Sequence, residues 1–141
     1  MFRVTREINF CYGHRLLDYH GKCAHLHGHN ARVLITIGTS GLNQEGMVVD
    51  FSEIKQKVQG WIDDELDHKM ILRRDDPAVA ALEKLGEPLV LIDESPTAEN
   101  LAKLIHDKAV ACGFAVLEVR FWETPYCSAA YGSDVSTAQS E

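Results

Sequence analysis

The sequence has no apolar run approaching the roughly 18 residues that a membrane-spanning helix needs, so no membrane span is expected. It has no N-terminal stretch in which basic residues precede an apolar core. Arg3 and Arg6 sit instead in an alternating, strand-like pattern. A cytoplasmic protein is therefore the expectation. There is no basic run either: 14 Lys and Arg stand against 21 Asp and Glu, a net charge of −7. That balance argues against a nucleic-acid partner. The four cysteines (Cys11, Cys23, Cys112 and Cys127) lack the paired spacing of a zinc ribbon and read as thiols, not disulfides. No internal repeat and no linker is visible. The 141 residues suit one domain, placed at 1–131, with 132–141 expected to be a small, polar, disordered tail.

What the sequence does have is histidine, concentrated. Five of its seven lie between His14 and His29. In His27-Gly28-His29 the two imidazoles are two residues apart, and Ala31, Val33, Ile35 and Ile37 continue the same phase as an apolar row. Residues two apart share one face of a strand and different faces of a helix. A strand therefore begins with His27 and His29 side by side, a spacing that chelates a divalent cation. Nitrogen donors make zinc the first guess. A catalytic zinc wants three protein ligands and an open position. His14 is the candidate third, because it ends an earlier alternating run: Phe2, Val4, Ile8, Phe10, Tyr12, His14. In a hairpin it would face the pair. His20 and His25 read as surface residues of the intervening loop.

In chain order, strands are expected over 2–14 and 27–38, then turns at Gly38 to Gly46, with Met47-Val48-Val49 as the end of a returning strand. Asp50 to Glu53 has the form of a capping box. A helix with Phe51, Ile54, Val58, Trp61, Ile62 and Leu66 on one side follows it. Residues 69–87 read as irregular apart from a short helix at 78–84. Leu89 to Ile92 reads as a buried strand. Ser95-Pro96 opens a second long helix that Gly113 ends. Strands over 115–123 and 127–131 complete the chain. The order strand, strand, helix, helix, strand, strand implies an α+β domain: an antiparallel four-stranded sheet with two helices on one face. Its open edges would need protection, for which oligomerisation is one route.

Three further places carry chemistry. Cys23, four residues before His27, is either a fourth metal ligand closing a structural site or a thiolate activated by a neighbouring cation. Asp67-His68, at a helix end, can act as an acid/base pair or lie on the surface. Glu123 continues the phase of Leu117, Val119 and Phe121. A carboxylate on an apolar face needs a partner, and a planar guanidine-like ligand group would supply two parallel hydrogen bonds. Otherwise the strand ends there and Glu123 is exposed.

Cys23-Ala-His-Leu-His27-Gly28-His29-Asn30 resembles the CxxxHGHN signature of the 6-pyruvoyltetrahydropterin synthase and 6-carboxytetrahydropterin synthase family. His14, Met47 to Phe51, Leu66-Asp67-His68, Pro96 to Asn100 and Glu123-Thr124 match the same family in order, across nearly the whole chain. The resemblance implies the tunnelling fold, in which subunits join their sheets into a trimeric barrel and two trimers stack into a homohexamer with active sites between subunits. It implies zinc on His14, His27 and His29, Cys23 as the proton-abstracting base, and Asp67 and His68 as a proton relay. It implies Glu123 as the anchor of the pterin ring, with Thr97 and Glu99 near that pocket. The implied substrate is 7,8-dihydroneopterin triphosphate. The carboxy branch cleaves the substrate side chain with release of acetaldehyde and triphosphate, on the route to queuosine-type deazapurines. The pyruvoyl branch eliminates triphosphate and keeps three carbons. A non-catalytic zinc or pterin-binding module is the remaining alternative.

Overall fold

A computed structural model of the chain describes residues 1–133. The first two strands, β1 (Phe2–His14) and β2 (His27–Thr39), form one long antiparallel hairpin, from Phe2 opposite Thr39 to His14 opposite His27. Alternation fixes which side chains go inward. Ile8, Phe10, Tyr12 and His14 of β1 and Ala31, Val33, Ile35 and Ile37 of β2 are buried on one face. The opposite face carries Thr5, Glu7, Asn9, Arg32 and Thr36, with Arg32 paired to Glu7 at 2.5 Å.

Helix α1 runs over 51–65. It consists of Phe51–Ile54, a π-helical turn at Lys55–Gln59, and Gly60–Glu65. Asp50 caps it by accepting the Ser52 N–H at 2.8 Å. Strand β3 (Lys69–Arg73), helix α2 (Ala78–Lys84) and strand β4 (Leu89–Ile92) follow. Helix α3 (Ala98–Ala111) then leads into the hairpin of β5 (Val116–Thr124) and β6 (Cys127–Gly132). Ile54, Val58, Ile62 and Leu66 of α1, and Leu101, Ile105 and Ala109 of α3, pack on the buried face of the sheet and complete the core.

The sheet has six strands in the order β4-β3-β1-β2-β5-β6. This corrects the expected four-stranded antiparallel sheet with two helices, although the α+β class stands. β3 pairs parallel to β1, and β4 parallel to β3, with α2 as the crossover. Lys69–Arg73 was expected to be irregular. Its apolar centre is only Met70-Ile71-Leu72, and Ile71 and Leu72 are both fully buried, so no alternation marks it. Parallel strands covered on both faces read as short continuous apolar runs.

Smaller corrections follow the same logic. Val48 and Val49 pack against the core from a loop, not a strand. Thr97, not Ser95, caps α3, its hydroxyl accepting the Asn100 N–H at 3.2 Å. Gly132 belongs to β6, and the Ser133 N–H donates to the Leu117 carbonyl at 3.0 Å, so the paired region passes the expected boundary at 131. The rest of the expected tail, 134–141, lies outside the described residues.

Candidate metal centre and active site

The register of the hairpin sets His27 directly across from His14, and His29 across from Tyr12. All three histidines stand on the helix-covered face. Their ring centroids lie 4.5 Å (His14–His27), 4.9 Å (His27–His29) and 5.1 Å (His14–His29) apart. One ligating nitrogen from each falls within 4.8 Å of the others.

Backbone carbonyls orient two of the rings. The Pro96 carbonyl is 2.7 Å from His14 Nδ1, and the His25 carbonyl is 2.7 Å from His27 Nδ1. A carbonyl only accepts, so the proton of each neutral ring sits on Nδ1 and Nε2 presents its lone pair. The three Nε2 atoms are buried and have no hydrogen-bond partner. Three orphaned Nε2 atoms in one cluster, those of His14 and His27 being acceptors, are costly unless a cation joins them. The donor set therefore fits a divalent metal with nitrogen affinity. Burial also pushes the His14 and His29 pKa values down and so favours the neutral, ligating form; Glu123 works against this.

The Pro96 to Asn100 segment shows why one short stretch matters. The Pro96 carbonyl holds His14, Thr97 caps α3, and Asn100 Nδ2 ties back to the Ser95 carbonyl at 2.8 Å. The N-terminus of α3 is thereby fixed against the histidine cluster. A cavity of about 180 Å³ opens there, lined by His14, Cys23, Thr97, Glu99, Glu123 and Cys127 among others. Cys23 enters it from a 3-10 turn, Lys22–Ala24, as a half-buried free thiol. Its sulfur is not part of the clustered ligating atoms.

Glu123 does point inward with Phe121. Its Oε1 lies 3.1 Å from His14 Nε2 and 3.2 Å from His29 Nε2, and Tyr12 Oη donates to it at 3.4 Å. Burial first, then Glu123, pushes the Tyr12 pKa far upward, so the phenol keeps its proton. The phase expected for this strand needs one adjustment. A register shift at Thr36/Ile37 buries Val116 in place of Leu117.

Asp67 and His68 are elsewhere. Asp67 Oδ1 accepts the Cys11 N–H at 2.9 Å, and its Oδ2 meets His68 Nδ1 at 2.9 Å. The His68 N–H returns to the Cys11 carbonyl at 2.7 Å, which holds His68 in the left-handed region at φ 59. Burial acts to raise the Asp67 pKa, but the bonds from Cys11 and His68 outweigh it and the net shift is downward. Both side chains gather at the Cys11 thiol, in the opposite phase of β1 from Tyr12 and His14. Within one chain, the sheet separates them from the histidine cluster. Cys11, Tyr12 and Cys127 are contributors that the sequence reading did not single out. For Tyr12, its place in the phase of His14 was the available signal.

A family model described as 6-pyruvoyl tetrahydropterin synthase matches residues 3–134. The chain belongs to this family. It is 34% identical over 134 residues to a Rickettsia bellii protein named 6-carboxy-5,6,7,8-tetrahydropterin synthase, covering 90% of this chain and 97% of that one. A Haemophilus influenzae protein of the same name is 32% identical over 138 residues, covering 89% and 94%. As a member of this family the chain is an enzyme, a lyase. Among solved structures, an uncharacterised Wolinella succinogenes protein superimposes with a TM-score of 0.80 at 26% identity, covering 94% of this chain and 98% of that one. The Caenorhabditis elegans 6-pyruvoyl tetrahydropterin synthase gives 0.70 at 22% identity, covering 94% and 95%, a likeness of fold.

Proposed function

We propose that this enzyme is a cytoplasmic, zinc-dependent lyase that converts 7,8-dihydroneopterin triphosphate to 6-carboxy-5,6,7,8-tetrahydropterin, releasing acetaldehyde and triphosphate. The supporting observation is the cluster of three bare Nε2 atoms, with His14 of that cluster lining a cavity shared with Cys23 and Glu123. The relatives named for the carboxy product, at 34–36% identity across 90% of the chain, favour this branch over the pyruvoyl one.

Zinc held by His14, His27 and His29 would supply Lewis acidity toward the side-chain hydroxyls of the substrate. The protein's own residues do the rest. Glu123 accepts two hydrogen bonds from the aminopyrimidine edge of the ring, a charge-assisted bidentate contact that fixes its orientation. Thr97 and Glu99, at the N-terminus of α3, border the same cavity. The Cys23 thiolate removes a proton from the substrate side chain. His68, its Nδ1 paired to Asp67, moves protons at the far side of the reacting carbons. Because Asp67 and His68 face away from their own chain's cavity, this reading needs a second subunit to bring them in. A trimeric barrel stacked into a homohexamer meets that need.

Incubation with dihydroneopterin triphosphate, followed by product masses and an acetaldehyde assay, tests the proposal. Acetaldehyde in step with 6-carboxytetrahydropterin is expected. An intact three-carbon product without acetaldehyde would move the chain to the pyruvoyl branch, and no turnover would leave a binding module.

A further inference from the structure

The loop between β1 and β2 presents the Cys23 thiol, yet little of it is packed. Its 3-10 turn, Lys22–Ala24, has no side-chain cap and no buried residue. A segment with so few buried contacts opens easily. What ties the turn to the end of β1 is the Leu16 N–H, which donates to the Cys23 carbonyl at 2.8 Å. Leu16 and Cys23 line the same cavity as His14 and Glu123. The place of Leu16 therefore decides where the thiol sits. Arg15, the residue before it, grips Asp76 with two bonds. Its Nε donates to Oδ2 at 2.8 Å, and its Nη2 donates to Oδ1. Asp76 is buried and fixed from its own side. Its backbone N–H donates to the Arg73 carbonyl at 2.9 Å, and its Oδ1 accepts the Ala78 N–H at 2.8 Å. The anchor thus lies at the junction of β3 and α2, outside the loop. A planar fork on a carboxylate fixes direction as well as distance. Asp18, further along the loop, meets Arg73 at 3.2 Å with its own side chain 80% exposed. Water and salt weaken such a contact.

We propose that Arg15 and Asp76 are positioning residues for the Cys23 thiol. The ion pair fixes the backbone at Arg15 and Leu16, and the Leu16–Cys23 hydrogen bond passes that placement to the turn that carries the sulfur. The value of this placement for turnover rests on the base role given to Cys23 above. Arg15 itself touches neither the metal ligands nor the substrate in this account. His14 precedes it in sequence but is held separately, by its pairing with His27 and by the Pro96 carbonyl. Releasing Arg15 therefore loosens the thiol and leaves the histidine cluster in place. A misplacement of about 1 Å costs on the order of 10²-fold in rate. A base acts in the chemical step, so the loss falls on kcat and not on KM.

The test compares full-length, zinc-loaded wild type with Arg15→Met, Arg15→Lys and Asp18→Asn in three readings. These are zinc per chain, kcat and KM with dihydroneopterin triphosphate, and the rate at which iodoacetamide alkylates Cys23, followed by peptide mass. Arg15→Met should keep one zinc per chain and lose about 10–100-fold in kcat, with KM changed less than about 2-fold. Its Cys23 should be alkylated several-fold faster. Lysine offers a point charge where arginine offers a fork, so Arg15→Lys should fall between wild type and Arg15→Met. Asp18→Asn should match the wild type throughout. A loss of stability alone, assayed well below the melting temperature, changes neither kcat per folded chain nor the alkylation rate. Wild-type kcat and alkylation in Arg15→Met would overturn the proposal. So would zinc lost together with activity, or an equal effect from Asp18→Asn. Should Arg15→Met not fold, Arg15→Lys decides: wild-type values overturn the proposal and intermediate ones support it. Alkylation needs no turnover. An inactive wild type whose Cys23 rate still rises in the Arg15 variants would remove the base reading and leave the positioning of the thiol standing.

Discussion

A buried imidazole that cannot find a donor for its Nε2 is a liability, and this chain has three of them in one place. Their neutral form, favoured by burial at His14 and His29, is the form that binds metal. His27→Ala should therefore abolish stoichiometric zinc, whereas Cys23→Ala should keep one zinc per chain and lose turnover; metal content and product formation on the same preparations check both. This part of the site was readable because the two-residue spacing in His27-Gly28-His29 names a face, and His14 ends a run in the matching phase. The pairing of Arg15 with Asp76 was not readable, since 61 residues separate them. Arg15 Nε donates to Asp76 Oδ2 at 2.8 Å, and the guanidinium holds the 3%-exposed carboxylate below the usual range. The folded-state pKa of Asp76 is below its unfolded value of about 3.9, so its stabilisation is present above that value. It is lost as pH falls through the folded pKa. Arg15→Met should cost about 1.5–3 kcal/mol at pH 7, the range of a charge-assisted hydrogen bond. Denaturant unfolding at pH 7 and at about pH 2.5 should show the gap narrowing at the lower pH.

At the scale of elements, α1 shows how a sequence pattern can hide an irregularity. Ile54, Val58, Ile62 and Leu66 are buried at a strict spacing of four. In a straight α-helix each such step drifts about 40° around the axis. The π-helical turn at Lys55–Gln59 widens the helix and keeps the row against the sheet. Nothing in the amphipathic pattern distinguishes that turn from an ordinary one. The termination of α3 was legible, because Gly113 takes φ 96, a conformation that a Cβ disfavours. Gly113→Ala should lower stability by about 1 kcal/mol, seen as a fall of about 3–5 °C in the melting temperature. Strand β3 stayed hidden for a different reason. Its pairing with β1 is parallel and depends on where α1 returns the chain, which no local periodicity encodes.

For the whole molecule, the two faces of the sheet carry different clusters of candidate groups. The helix-covered face holds the histidine cluster, and the other holds Cys11, Asp67 and His68. The sequence reading placed the histidine cluster, Asp67 and His68 in one reaction, a reading that requires a second chain to bring the two faces together. The terminal strands β4 and β6 are edges within the chain, positions where neighbouring sheets can join. If sites form between subunits, mixing and reassembling His27→Ala with His68→Ala chains should restore measurable lyase activity, although each variant alone has none. Mixtures that stay inactive after verified subunit exchange would place the whole site in one chain. The most direct measurement concerns the cation that the three imidazoles are proposed to hold. X-ray absorption at the zinc edge of the loaded protein should show a nitrogen and oxygen shell near about 2.0 Å with imidazole scattering and no sulfur. A sulfur shell near about 2.3 Å would make Cys23 a ligand and contradict its role as the base.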